Sequence, residues 1–187
     1  MSVSNNELRE LLTRALNALP AHADELRDLD AALGDGDLGI TVRAGSAAVV
    51  NALAALPDGA SLSDVLLAAG KAFSTANPST FAALVGGGLL AAAKAVPGVQ
   101  AVGRAEALAI GRAVAGRIVE RGKSQLGDKT VLDALLPSLD TLEASQGSAV
   151  ELLDAMIATA QEGVTATASI QSRKGRAAWV QERSIGH

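Results

Sequence analysis

The chain has no cysteine, and aromatic residues make up only 2% of its 187 positions. Without cysteine there is no disulfide, no thiol nucleophile and no thiolate metal site, a composition that suits a reducing cytoplasm. Without aromatics there are few surfaces on which bases could stack. Positive charge is also scarce: 16 lysines and arginines stand against 20 aspartates and glutamates, a net charge of −4. Such a chain has no broad cationic face, which sets nucleic acid aside as a partner. Only two histidines occur, His22 and His187. Their spacing gives neither a Ser-His-Asp arrangement nor a histidine metal site, and His22 reads as the surface of a helix. Long apolar runs are missing too. The longest, Phe81 to Ala93, ends at Lys94 and falls short of the roughly 20 residues of a membrane span. The first ten residues are polar and acidic, so no signal peptide is expected.

Alanine and leucine dominate what remains. Hydrophobic residues reach 49% against 19% charged, enough apolar surface to fold. The length fits a single domain over residues 1–187 with a sizeable core. Alanine and leucine favour helices, whereas sheets draw on β-branched and aromatic side chains. No strand pattern, internal repeat or interdomain linker is visible, and the predicted fold is all-α with eight helices. Leu8, Leu11, Leu12, Ala15, Leu16 and Leu19 recur at helical spacing behind Ser4, with Glu7 placed to complete a capping box. A second helix is expected from about Ala21 to Leu33 and a third from near Gly39 to the Pro57-Asp58-Gly59 turn. Ser61 or Ser63 caps a fourth that runs to about Thr75. The fifth runs from Asn77-Pro78-Ser79-Thr80 to Pro97-Gly98, and the sixth from about Gly103 to Arg121 with Gly122 as its C′ residue. Asp128 is placed to cap the seventh, which holds Pro137 as a kink. The eighth runs from near Ser148 to about Ser169. Short connections make sequential helices antiparallel. The segment from Arg173 to His187 reads as an ordered loop or arm.

Four segments could carry chemistry. In the first, Asp30 lies near the end of a helix, and Asp35 and Asp37 lie in the glycine loop beyond it, so three carboxylates can converge. Magnesium takes hard oxygen ligands and is often shared with substrate phosphates, and three aspartates carry charge enough for two ions. Gly39 then opens a helix whose free N–H groups and positive dipole end suit a phosphate. A plain Asp-Gly turn is the simpler alternative; Asp30 and the helix start favour the metal–phosphate site. A calcium EF-hand fails, because Ile40 stands where its glycine belongs and Ser46 where its glutamate belongs. Asp28 reads as a solvated helix residue.

The second segment, Asn77-Pro78-Ser79-Thr80, offers hydroxyls and N–H groups at a helix start, and by itself reads as simple capping. Gly86, Gly87 and Gly88 lie inside the next helix and read as a site of close helix approach. The third segment joins Arg121-Gly122-Lys123-Ser124 to Gly127-Asp128-Lys129-Thr130. A P-loop is excluded, since Arg117 occupies the place of its first glycine and a helix, not a strand, precedes. The segment stays open between a phosphate or nucleotide loop and a charged connector. The fourth is the arm with Arg173, Lys174, Arg176 and Arg183. Its guanidinium groups can bind phosphate bidentately, or it is a solvated basic terminus. The scarcity of side-chain bases suits phosphoryl transfer, which depends on positioning and charge stabilisation.

Taken together, these segments resemble the L subunit of dihydroxyacetone kinase over nearly the whole chain. The resemblance rests on three pieces in order. They are Asp28-Leu-Asp30 with Gly34-Asp35-Gly36-Asp37; Arg121-Gly-Lys with Gly127-Asp-Lys-Thr130-Val-Leu-Asp133; and Ser172-Arg-Lys-Gly-Arg-Ala177 with Glu182-Arg-Ser-Ile-Gly-His187. It implies a closed barrel of eight antiparallel helices with ADP or ATP at one end, held through two Mg2+ ions by Asp30, Asp35 and Asp37. It also implies phosphate contacts at Leu38, Gly39, Ile40 and Thr41 and, on the far side, at Ser79 and Thr80. Gly122 and Val131 match nucleotide-lining positions. Arg176 matches a phosphate-binding arginine, the catalytic candidate, with Lys174 as a second cation beside it. In the family the L subunit docks on a K subunit that holds the keto-sugar covalently on a histidine. The donor is free ATP in one branch; in the other, bound ADP is recharged by a phosphotransferase-system protein. The implied activity is transfer of phosphoryl to a small ketose, as in a glycerone kinase, and only with the partner present. A homodimer is compatible with that arrangement.

The chain departs from the family at stated places. Leu38 and Thr41 stand where the metal loop has histidine and asparagine. Asn77-Pro78-Ser79-Thr80-Phe81-Ala82 stands where the family has Gly-Gly-Ala-Ser-Gly-Pro. The family pattern runs on past Ser-Ile-Gly-His with Gln-Asp-Pro-Gly. These changes favour one rival, a non-catalytic protein of the same fold that docks on a partner or regulates it.

Overall fold

The computed structural model describes residues 2–187. Among the described residues the chain forms eight helices: α1 (Asn5–Ala18), α2 (Ala23–Ala31), α3 (Leu38–Ala54), α4 (Leu62–Ala76), α5 (Thr80–Ala95), α6 (Arg104–Gly122), α7 (Leu132–Ala144) and α8 (Ala149–Thr167). Two 3-10 segments, Leu19–His22 and Arg176–Ser184, complete the helical part. One antiparallel pairing, β1 (Val3–Ser4) with β2 (Ala101–Val102), sets Val3 opposite Val102. The chain divides into two compact units, Ser2–Arg117 and Ile118–His187. No helix among the described residues is long and apolar enough to cross a membrane.

Three helices start on the same device. Ser4 and Glu7, Ser61 and Asp64, and Ser148 and Glu151 form reciprocal capping boxes at the starts of α1, α4 and α8. In each, the serine hydroxyl takes an orphan N–H and the carboxylate takes the serine's own. The N–H of Ser148 donates to Glu151 at 2.8 Å, and that of Ser4 to Glu7 at the same distance.

The core of the first unit lies among α3, α4 and α5. Val49, Leu53, Val65, Ala69, Phe73 and Ala82 form one buried cluster, and Leu62, Leu66, Ala92, Ala93 and Val96 form another. Phe73 and Phe81 meet edge to face with ring centres 6.2 Å apart. Leu53 and Leu62 are fully buried, and truncating either to alanine would cost about 2–5 kcal/mol. Small residues replace large ones where α4 meets α5. A Cβ on Gly86 would sit 2.7 Å from the Gly70 carbonyl and 2.6 Å from the Ser74 Cβ, so the backbones touch. This is the close approach that the glycine run predicts. Arg9 on α1 donates to the carbonyls of Leu56 and Pro57, fastening α1 to the turn after α3.

In the second unit, Pro137 lies inside α7 and removes the N–H that would reach the Asp133 carbonyl. The backbone of α8 closes over that carbonyl at Gly163, where a Cβ would come within 2.2 Å of it. The hydroxyls of Thr141 and Thr159 add a bond of 2.9 Å between the two helices.

Four boundaries differ from the sequence reading. α2 is shorter than expected, because Pro20 opens a separate 3-10 turn before it. A minimal strand pairing exists where no strand was visible; two residues per strand carry no period. Gly122 ends α6 from inside, and the left-handed turn falls on Lys123, at φ 47°. Asp128 does not cap α7. The helix begins behind Val131 without a side-chain cap, and Asp133 instead accepts from the N–H groups of Gly127 and Thr130.

Two predictions follow from these contacts. Backbone hydrogen bonds from Ser4 and Ser148 hold Glu7 and Glu151 below the ordinary carboxylate range, and the Ser61 hydroxyl does the same for Asp64. Their folded pKa values lie below the unfolded ones. Their stabilisation is therefore complete at neutral pH and fades as pH falls through the folded values. Circular-dichroism melts should show midpoints dropping below the ordinary carboxylate range, with a shallower drop when Ser4, Ser61 and Ser148 are all alanine. Gly163→Ala should cost about 1–3 kcal/mol in urea unfolding, because backbone must move. Gly116→Ala, in α6 with open space around it, should instead be neutral or stabilise by about 0.5–1 kcal/mol.

Candidate functional site

The turn between α2 and α3 is made by Asp30 itself. Its carbonyl accepts from the N–H groups of Leu33 at 3.1 Å and Gly34 at 2.6 Å, folding the chain back over the helix end. Gly36 takes a positive φ of 73° and redirects the loop. The Asp30 carboxylate then receives the N–H of Leu38, at 3.3 Å, as α3 begins. As a result Asp30, Asp35 and Asp37 each place a carboxylate oxygen within 4.8 Å of the other two. Asp30 and Asp37 are half-buried and Asp35 is exposed. Arg27, on α2, is paired with Asp28 and Asp24, and its hydrogen bond to Asp28, followed by the charges of the two carboxylates, raises its already high pKa. Three carboxylates at this spacing form a hard, anionic oxygen set. That donor set fits a magnesium ion better than it fits zinc or copper, which favour nitrogen and sulfur.

The start of α3 is fixed beside this cluster. Gly39 packs on the backbone of Ala23, where a Cβ would come within 2.0 Å of the carbonyl. Ile40 is 62% exposed. Thr41 is buried, and its hydroxyl accepts from the Asn77 amide at 2.7 Å. That bond ties the first turn of α3 to the connection between α4 and α5. Ser79 caps α5, its hydroxyl accepting from Ala82 at 3.1 Å, and Thr80 is exposed at the first position of the helix. Within the first unit, then, the aspartate loop is bonded to the start of α3, and Thr41 is bonded to Asn77, two residues ahead of the Ser79–Thr80 helix start.

Gly122, Val131 and Arg176 belong to the second unit. Gly122 closes α6, Val131 is 49% exposed just before α7, and Arg176 is exposed at the head of the 3-10 segment. The loop and the tail that carry them are joined by a buried polar network. Lys129 donates to the carbonyls of Ser184 at 2.8 Å and Ile170 at 3.2 Å. Asp128, itself buried, accepts from Arg173 through its carbonyl at 3.0 Å and pairs with Lys174 at 3.6 Å. Lys174 also donates to the carbonyl of Lys123. In the tail, the N–H of Ser172 donates to the Ser184 hydroxyl at 2.8 Å, and that hydroxyl donates to Gln181 at 2.6 Å. Lys129 therefore spends its charge on backbone, which favours the connector reading for that side chain. Sequence reasoning did not find Asp133, Ser172 and Ser184 as network members. One signal was present: Thr130 followed three residues later by Asp133 is a capping-box pattern.

Comparison with known proteins gives a consistent picture. A family model described as the DAK2 domain matches residues 32–187. The chain is 30% identical to the ADP-binding subunit DhaL of the PEP-dependent dihydroxyacetone kinase of Escherichia coli, over all of this chain and 90% of that one. It is 33% identical to the ADP-binding subunit DhaL of the PEP-dependent dihydroxyacetone kinase 2 of Listeria innocua, over 88% of this chain and 77% of that one. It is 37% identical to the D-erythrulose kinase of Mycolicibacterium smegmatis, but spans only 32% of that longer protein. Among solved structures, the dihydroxyacetone kinase of C. freundii in complex with AMP-PNP and Mg2+ superposes with a TM-score of 0.75 at 22% identity. That match takes in 96% of this chain and 32% of the other, and it establishes the helical fold.

The cluster makes a steric prediction. A Cβ on Gly34 would lie 2.2 Å from an Asp30 carboxylate oxygen and 2.9 Å from the Asp30 carbonyl, and Gly34 has no positive φ to disturb. Gly34→Ala should push that carboxylate aside and shift the turn slightly while leaving the helices intact. Mn2+ binding, followed by paramagnetic resonance, should weaken about tenfold.

Proposed function

The chain belongs to the DAK2 domain family, and from that premise we propose that it is the nucleotide-binding subunit of a two-part kinase acting on a small ketose. The observation that carries this reading is the convergence of Asp30, Asp35 and Asp37 at the start of α3. The names of the relatives support it, since two are ADP-binding subunits of dihydroxyacetone kinases and a third is an erythrulose kinase.

On this reading the three aspartates hold two Mg2+ ions on the phosphates of ADP or ATP. Bound magnesium supplies neutralisation of phosphate charge as the phosphoryl group moves. The chain's own residues position and discriminate. Gly39 and Ile40 offer the N-terminal N–H groups of α3 to phosphate, while Leu38 and Thr41, whose N–H groups donate to the Asp30 carboxylate and the Asp37 carbonyl, hold that first turn in place. Ser79 and Thr80 bring a second helix start. Gly122 and Val131 line the nucleotide, and the exposed Arg176 meets the transferring phosphoryl group with a bidentate guanidinium, with Lys174 near it in sequence. No proton-accepting histidine is needed from this chain, because the sugar and its activating groups belong to the partner. That partner is a K-type subunit that holds the ketose. The donor is either free ATP or a phosphotransferase-system protein that recharges bound ADP. We further propose that residues 1–187 work as one domain, a closed eight-helix barrel in the cytoplasm.

The family's loop changes are met by a local exchange. Where the family has asparagine at the position of Thr41 and glycine at that of Asn77, this chain has a hydroxyl and an amide that bond to each other. The same bond favours the rival, a docking protein without turnover, because it occupies the Thr41 hydroxyl internally.

Calorimetric titration with Mg-ADP and Mg-ATP decides the first step. Magnesium-dependent binding is expected, weakened at least about tenfold by Asp35→Asn with the fold intact. Affinity unchanged in that variant would remove the loop from the site. Phosphotransfer to dihydroxyacetone with a K-type subunit present is the second step. Binding to that subunit without turnover would establish the docking protein instead.

A further inference from the structure

We propose that Lys129 is a positioning residue, the latch that holds the Arg176 arm in place for the nucleotide, an inference that rests on the nucleotide reading above. Lys129 touches neither phosphate nor sugar in this proposal. It acts through the two segments it joins, one carrying Val131 and the other Arg176.

Three observations carry it. The first is where the ammonium goes: to the carbonyls of Ser184, the last residue of the 3-10 segment that Arg176 opens, at 2.8 Å, and of Ile170, ahead of that segment, at 3.2 Å. An ammonium has three donors and in a surface lysine gives them to water. Here two go to tail backbone. The second is burial. Asp128, Ser172 and Ser184 are all buried, and each is bonded across or along the arm, so the base of the arm is rigid while Arg176 stays exposed. The third is strain. Among the described residues, three non-glycine residues have positive φ, and all three lie in these two segments: Lys123 at 47°, Lys129 at 61° and Gln181 at 50°. Strained backbone persists only where its surroundings over-determine it, and it gathers at ligand clamps and switch regions. A connector with no geometric duty would place glycine there, as this chain does at Gly127, Gly175 and Gly186. Lysine at position 129 accepts the strain because its side chain is needed at that spot.

The consequence is separable from stability. Lys129→Met keeps the stem and removes the donors. Ser184→Ala keeps the volume and removes the hydroxyl that joins Ser172 to Gln181. The purified full chain, these two variants and Asp35→Asn would be titrated with Mg-ADP by calorimetry, with amide exchange followed by mass spectrometry on the same samples. Wild type should bind. Lys129→Met should bind at least about tenfold more weakly and Ser184→Ala several-fold more weakly. Melting midpoints should stay within a few degrees of wild type. Faster exchange should be confined to residues 172–186, and Mg-ADP should protect that segment in wild type but much less in Lys129→Met. Wild-type affinity in a folded Lys129→Met overturns the latch and leaves the nucleotide reading standing. So does an affinity loss that only tracks the unfolded fraction. If Lys129→Met does not fold, unchanged affinity in Ser184→Ala overturns the proposal. A wild type that fails to bind overturns the nucleotide reading itself, a result distinct from the other three.

Discussion

Like charge at the α2–α3 junction is the constraint around which the first unit is arranged. Asp30, Asp35 and Asp37 bring oxygens within 4.8 Å of one another. Even in water-like surroundings each such pair repels by roughly 1 kcal/mol, and more where solvent is thinned. A turn with no duty beyond joining two helices would spread these charges. Instead the backbone gathers them: the Asp30 carbonyl takes two N–H groups to fold the loop, and its carboxylate takes the Leu38 N–H to seat α3. The folding energy that tolerates the cluster comes from elsewhere in the unit, chiefly the apolar packing of α3, α4 and α5. Stability and site are thus drawn from opposite ends of the same helix. Val49 and Leu53 anchor α3 in the core, and its first turn faces the carboxylates.

The second unit meets a different problem with a different material. Its loop and tail leave Leu126, Val131, Trp179 and Ile185 exposed, so hydrogen bonds do much of the ordering. Buried polar networks are safe only when their members are satisfied, and here carbonyls, hydroxyls and carboxylates answer one another from Lys123 to Gly186. The positive-φ lysines cost roughly 1 kcal/mol each. A network of charge-assisted bonds can hold that much strain, whereas a simple turn would relax it.

The helical fold was legible because its signals are local. Ser4 with Glu7 and Ser148 with Glu151 announce helix starts within four residues, and both boxes are present. The Gly86 run announced close packing, and Gly86 meets Gly70. The convergence of the aspartates was legible for the same reason, since three carboxylates within eight residues around two glycines leave few places to go. What the sequence hid was long-range. Lys129 reaches Ser184 across 55 positions and Asn77 reaches Thr41 across 36, and no periodicity encodes either contact. Glycines and cations from Arg121 to Thr130 fit a phosphate loop as well as a charged connector, because the carbonyls that claim Lys129 lie in another segment. Asp128 was misread as a cap because aspartate before a helix usually is one, and Asp133 had already taken the local N–H groups.

The Thr41–Asn77 bond carries the last step. A site built on backbone N–H groups depends on helix position more than on side-chain identity, because the donors are peptide groups that every residue except proline supplies. Leucine can therefore replace histidine at position 38 while its N–H still seats on Asp30. The amide can move from position 41 to position 77 while its bond to the Thr41 hydroxyl ties α3 to the α4–α5 connection. The carboxylates have no such freedom, since only they bring negative charge. On that argument the aspartates are the fixed part of the α2–α3 junction, and the side chains from Leu38 to Thr41 are free to vary around them.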